Sequence, residues 1–408
     1  MSKKIVSFLS LLLLLMPNYV FGHGGVTRVS LLKDSDIRLF IADNMESSIV
    51  TIDFPSAEIV NRVSVPPSIM ILAESNTKQL IYAMRGRDTD QDSVSILSTG
   101  FDSKENAFRP PHLIRTISFD TPGGARENKM ASVNGFDTVI TEGNGKIVVL
   151  QTEVIDGLSE IPTRIYDLAA PDHYHYMEGE KNLYIGHLFN GFVQVLNRRT
   201  GREVKKIGNC PRLHGMTKDE ESGRIFFSCA TELLVIGTRG KERAEEVARI
   251  EYPDLGRSCA AFLTGVNNIK WCYTEGIIPQ LYRLDLNKKN YNFEKLAVKP
   301  SIRQNVTDDG KYLLVLTKEG DLSIYNGFSG EFIKDIKVSD PFYGQWNEDV
   351  GKAILPDIAS YKGITYISLT HEGRVVEVDI EAGKVNRYID TGGFPTRMIL
   401  LSKDDLTK

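Results

Sequence analysis

Four histidines of this chain are spaced so that they could share one metal ion. His173 and His175 are two residues apart in Ala-Pro-Asp-His-Tyr-His-Tyr-Met, and on an extended strand residues two apart project to the same side. His187 follows in Tyr-Ile-Gly-His-Leu-Phe-Asn-Gly and His214 in Cys-Pro-Arg-Leu-His-Gly. Three or four neutral imidazoles meeting at one point make a zinc site, with Asp172, Glu178 or Asp357 as an oxygen ligand. Taken singly, each of these histidines reads as a solvated loop residue, so the chemistry depends on which elements bring them together.

Those elements are strands. One unit recurs along the chain: a β-rich run, a short polar or glycine turn, a second alternating run, a turn and a third run. Copies begin at Leu39, Leu80, Val139, Leu183, Ile225, Ile269, Tyr312 and Ile364, a mean interval of about 46 residues, which is the length of a propeller blade. Asn144-Gly145, Glu319-Gly320, Glu372-Gly373 and Ala382-Gly383 sit where hairpins need positive φ. The sequence therefore predicts an all-β fold, a β-propeller of eight blades, with seven as the alternative because the second and third units are the least regular. Each unit supplies the outer three strands of a blade and the innermost strand lies just upstream. The run Phe394–Leu401 has no hairpin of its own and is expected to complete the first blade, closing the ring. A helical turn is expected at Lys241–Ala248.

This topology sorts the histidines. The loop leading into the innermost strand and the loop between strands two and three open on one face of a blade, which gathers His173, His175, His187, His214 and His371 there, while His112 reads as structural or solvent-facing. It also pairs the cysteines, since the start of strand one lies beside the end of strand two. Cys210–Cys229 and Cys259–Cys272 are the expected disulfides among three possible connectivities. A zinc ribbon is excluded by the lack of CxxC spacing.

Composition narrows the function classes. The 408 residues are 41% hydrophobic and 25% charged with a formal net charge of −4, which gives no electrostatic reason for a nucleic-acid or anionic-membrane partner. Lys3, Lys4, the apolar run Ile5–Met16 and the small-residue end Val20-Phe21-Gly22 form a signal peptide over residues 1–22. Residues 23–408 are then a single soluble propeller domain, expected as a monomer in the periplasm, where thiols are oxidised. Nucleophile-elbow, Walker and dinucleotide motifs are absent from the sequence, and with only Trp271 and Trp346 it lacks the tryptophan-bearing repeat of eight-bladed quinoproteins.

The segments Arg38–Phe54, Ala170–Met177 and Gly208–Gly237 together resemble the AztD-type periplasmic zinc metallochaperones, β-propellers encoded beside zinc ABC transporters that pass zinc to the solute-binding protein. The resemblance implies that His214 and one of His173 or His175 are zinc ligands, that Cys210–Cys229 is a disulfide beside a ligand histidine, and that the partner is a zinc transporter's solute-binding protein. The loop Phe101–His112 holds one histidine and Asn44 stands where the family tends to carry another, so one site is expected where relatives have two. The expected function is zinc carriage to a transport system without catalysis. A non-catalytic scaffold, or a metal-dependent hydrolase or lyase using Glu178 as base on the same face, are the alternatives.

Overall fold

The computed structural model describes residues 35–407 apart from 86–90, 123–128, 134, 152–154, 158–163, 254–258, 275–279, 289–290, 292 and 343–354. The signal peptide assigned to residues 1–22 lies outside the described residues. Eight four-stranded antiparallel sheets follow one another around a ring, so the blade count is eight. The innermost strands include Tyr174–Glu178 in the fourth blade, His214–Lys218 in the fifth, Cys259–Thr264 in the sixth and Ile358–Tyr361 in the eighth, each at its expected place.

Pro395–Ser402 pairs with Ile37–Asp43 and becomes the innermost strand of the first blade, as expected. Closure in this way satisfies the inner edge of that sheet with a strand from the far end of the chain. The four glycines assigned to turns, Gly145, Gly320, Gly373 and Gly383, all adopt positive φ. Lys241–Ala248 differs from expectation: a 3-10 turn at Gly240–Glu242 leads directly into the strand Glu245–Glu251. The strand forms the outer edge of the fifth blade's sheet, where Val247, Ala248 and Ile250 are half-buried against the neighbouring apolar cluster.

The middle strands of a blade are covered on both faces by the neighbouring blades, which is why Ser48–Phe54 and Asn182–His187 are buried along their whole length. Each gap between blades holds its own apolar cluster. Between the fourth and fifth blades Tyr184, Val193 and Val195 meet Ile225, Phe227 and Leu234, and between the last and first Tyr366 and Val375 meet Leu39, Ile41 and Val50. Outer strands such as Lys384–Asp390 alternate exposed and half-buried residues and carry lysine and arginine, which protects the open edge from pairing with other chains.

An insertion in the second blade, the hairpin Phe101–Asp102 with Ala107–Phe108, is fastened to the first blade through Arg38. This fully buried guanidinium forms two bonds to Asp53, at 2.6 and 2.8 Å, and donates to the carbonyls of Thr99 and Arg109. A buried arginine is tolerated because four of its five N–H donors find acceptors, two of them on a carboxylate. Among the described residues no helix is long and apolar enough to cross a membrane.

Candidate metal centre

His173, His175 and His214 converge. One nitrogen from each can be chosen so that all three lie within 4.8 Å of one another, and the ring centroids are 4.6–5.3 Å apart. Tetrahedral zinc with Zn–N bonds of about 2.0–2.1 Å needs nitrogens roughly 3.4 Å apart, so small side-chain rotations bring the three onto one ion. The residues fit the group.

Two of the three rings are oriented by hydrogen bonds to their surroundings. His173 Nδ1 lies 2.9 Å from Oε2 of Glu142. Glu142 belongs to the loop between strands two and three of the third blade, is fully buried, and also accepts the backbone N–H of Tyr174 at 3.0 Å. A carboxylate accepts, so Nδ1 of His173 carries the proton. His214 Nδ1 lies 2.8 Å from the carbonyl oxygen of Ala260, and a carbonyl can only accept, so that Nδ1 is protonated too. In both neutral rings Nε2 is then the lone-pair nitrogen. Metal-bound histidines are held in this way, with the second nitrogen donating to a carboxylate or carbonyl that fixes tautomer and angle.

Two disulfides bracket His214. Cys210–Cys229 fastens the loop before it and Cys259–Cys272 fastens the strand start that carries Ala260, with Cα–Cα distances of 4.8 and 5.5 Å. Both pairings are those expected from the sequence. Gly215 lets the two innermost strands approach. Its φ is +54°, and a Cβ there would sit 2.5 Å from the carbonyl oxygen of Cys259, so only glycine places His214 against Ala260.

His187 does not join the cluster, and its place among the expected ligands is corrected by strand register. It pairs directly opposite Tyr174, while His175 pairs with Gly186. Opposed residues share a face of the sheet, so His187 lies on the Tyr174 side and His175 on the other. The His187 ring is fully buried, stacks on Phe192 at 4.2 Å between centroids, packs edge-on to Tyr174, and its Nε2 lies 3.3 Å from Gln194 Oε1.

The expected oxygen ligands are likewise engaged elsewhere. Asp172 accepts the backbone N–H groups of His173, Phe189 and Asn190 and the Asn190 amide. Burial raises its pKa, but hydrogen bonding from His187, Phe189 and Asn190 outweighs that and holds the carboxyl below the usual carboxylate range. Asp172 therefore shapes the loop beside His173. Glu178 sits at the opposite end of the innermost strand, bonded to Arg198 at 2.8 Å, which removes the base of the hydrolase reading. Asp357 is bonded to Arg303 and accepts the backbone N–H of Met398. His371 is apart from the cluster, against Phe342 with its centroid 4.4 Å away.

Sequence reasoning missed Glu142, Ala260 and Gly215. Glu142 had a usable signal, because it follows the second strand of the third blade and so falls in a loop that opens on the histidine face. The carbonyl of Ala260 has none, since a backbone acceptor is independent of side-chain type.

Comparison with solved structures shows which fold this ring repeats. Apo AztD from Citrobacter koseri superposes with a TM-score of 0.73 at 17% identity, over 90% of this chain and 98% of that one. The fold is similar to that of AztD. The resemblance read from the sequence thus holds for the fold. A second AztD structure from the same organism gives a TM-score of 0.69 at 18% identity over the same shares. The dihydro-heme d1 dehydrogenase NirN matches at 0.63 and 12% identity over 91% of this chain and 75% of that one. No family profile matches the sequence, and neither does any curated protein.

Proposed function

We propose that the chain is a periplasmic zinc carrier that holds one ion between the fourth and fifth blades and hands it to a transport system, the solute-binding protein of a zinc ABC transporter being the expected acceptor. The observation that carries this reading is the pair of oriented imidazoles: His173 and His214 each have Nδ1 committed to an acceptor, the Glu142 carboxylate and the Ala260 carbonyl, which leaves Nε2 as the lone-pair nitrogen in the cluster that His175 completes. A surface cluster of solvated histidines has no reason to fix its tautomers. The likeness of the fold to AztD and the two disulfides, which suit an oxidising compartment, support the same reading.

Non-catalytic carriage is favoured over hydrolysis because Glu142 and Asp172 are fully buried and occupied by donors, so neither can take a proton from a metal-bound water. Titration calorimetry of residues 23–408 with zinc at neutral pH tests the proposal. One ion per chain is expected, with loss of binding in the His173→Ala, His175→Ala, His214→Ala triple variant. A wild-type chain that binds no zinc overturns it.

A further inference from the structure

A cavity of about 360 Å³ opens between the fourth and fifth blades, a volume within the range of small-molecule sites. Glu178 and Lys218 line it, and they end the two innermost strands that carry His175 and His214 near their starts. At about 3.3 Å per residue, those five-residue strands set the cavity roughly 13 Å from the metal centre, toward the other face of the ring.

Charge decides what such a cavity can hold. Its lining brings Arg198, Lys218 and Arg239 together with Glu178 and Glu180. Both acids are engaged, Glu178 by Arg198 at 2.8 Å and Glu180 by Arg243 at 3.2 Å. Lys218 has Glu220 at 2.8 Å, but that carboxylate is 74% exposed and also offsets the charge of the buried Lys270. Arg239 has no acid. Among the described residues it makes no ion pair, and its two hydrogen bonds go to the backbone carbonyls of Glu221 and Glu220, at 3.0 and 3.3 Å. Those bonds fix the guanidinium at the cavity wall over Gly223, where a Cβ would come within 2.6 Å of Nε. Three of its five N–H groups are left to donate.

We propose that this cavity is an anion site that takes a phosphate group, with Lys218 and Arg239 as its receptors. A guanidinium fork and an ammonium point charge suit phosphate oxygens, and a dianion answers both charges at once. The volume leaves room for a small organic body beyond the phosphate. Inorganic phosphate and a small organic phosphate share this chemistry.

Calorimetric titration of the metal-free, oxidised chain 23–408 with inorganic phosphate and with glycerol 3-phosphate, in chloride buffer at neutral pH, tests the proposal independently of zinc carriage. One saturable site is expected, with affinity lowered roughly tenfold in Lys218→Gln and in Arg239→Gln. Lys205→Gln removes a cation from the outer strand of the fourth blade, where it pairs with Glu245 of the fifth, and should bind as the wild type does. No heat from either titrant, or a loss in Lys205→Gln equal to that in the cavity variants, overturns the proposal. So does binding that both cavity variants keep and the His173→Ala, His175→Ala, His214→Ala triple variant loses, which puts the anion on the imidazoles. Half-saturation by glycerol 3-phosphate below that of inorganic phosphate supports an organic phosphate, and equal values support the inorganic ion.

Discussion

Nδ1 of His173 and Oε2 of Glu142 stand 2.9 Å apart across the gap between the fourth and third blades. The same carboxylate holds the backbone N–H of Tyr174 through its other oxygen, so one buried acid sets both the angle of a ligand ring and the start of the strand carrying the next ligand.

Glu142→Gln keeps the shape of that acid and removes its charge. Zinc affinity is expected to fall roughly 10- to 100-fold with the stoichiometry unchanged, measured by competition against a chromophoric chelator. Unchanged affinity would show that Glu142 has no part in orienting His173.

His187→Ala separates packing from ligation. Loss of a ring packed on Phe192 and Tyr174 should cost about 2–4 kcal/mol of stability, seen in urea unfolding, while calorimetry still finds one zinc per chain. A variant that stays stable but binds no zinc would return His187 to the ligand set.

The disulfides should matter for the metal as well as for the fold. Each closes a short loop, of 19 and 13 residues in sequence separation, and the Cys210→Ala, Cys229→Ala and Cys259→Ala, Cys272→Ala double variants are each expected to lose about 3 kcal/mol. Both should also bind zinc more weakly, because the Ala260 carbonyl and the His214 loop are held by these bridges. Full zinc affinity in both double variants would refute that coupling.

His371 supplies a pH dependence. Burial lowers its pKa, against the smaller raising effects of Glu372 and Asp340; among the described residues neither ring nitrogen makes a hydrogen bond, although Nε2 lies 3.3 Å from Oε1 of Glu372. The unfolded chain therefore binds a proton at a higher pH than the folded one. The sign follows from linkage: stability is constant above the ordinary histidine pKa and falls as pH drops below it. His371→Leu should flatten that acid-side loss, measured by unfolding free energies at pH 7.5 and about pH 5.5. An identical slope in wild type and variant would rule His371 out as the source.

Much of the ring was legible in the sequence because a blade is a local object, with its strands consecutive and its turns marked by glycine. The disulfides were legible for the same reason, since each lies within one blade. His173, His175 and His214 could be placed on one face, because that depends on connectivity alone. The side of His187 could not, because it turns on the register at which Asn182–His187 pairs with Tyr174–Glu178, and a shift of one residue would reverse it. Glu142 and Ala260 act from the adjacent blades, and those partners appear only once the ring packs blade against blade.

The same arrangement has a mechanical reading. Two blades provide the imidazoles, and the blades on either side of them provide the acceptors that aim those imidazoles. Four consecutive blades, half the circumference, thus share a single clasp. An ion bound there adds to the free energy that keeps this arc together in proportion to its occupancy, so loading stiffens one half of the wheel, while the other half relies on its apolar seams and on fixed polar bridges such as Arg38 and Arg303–Asp357.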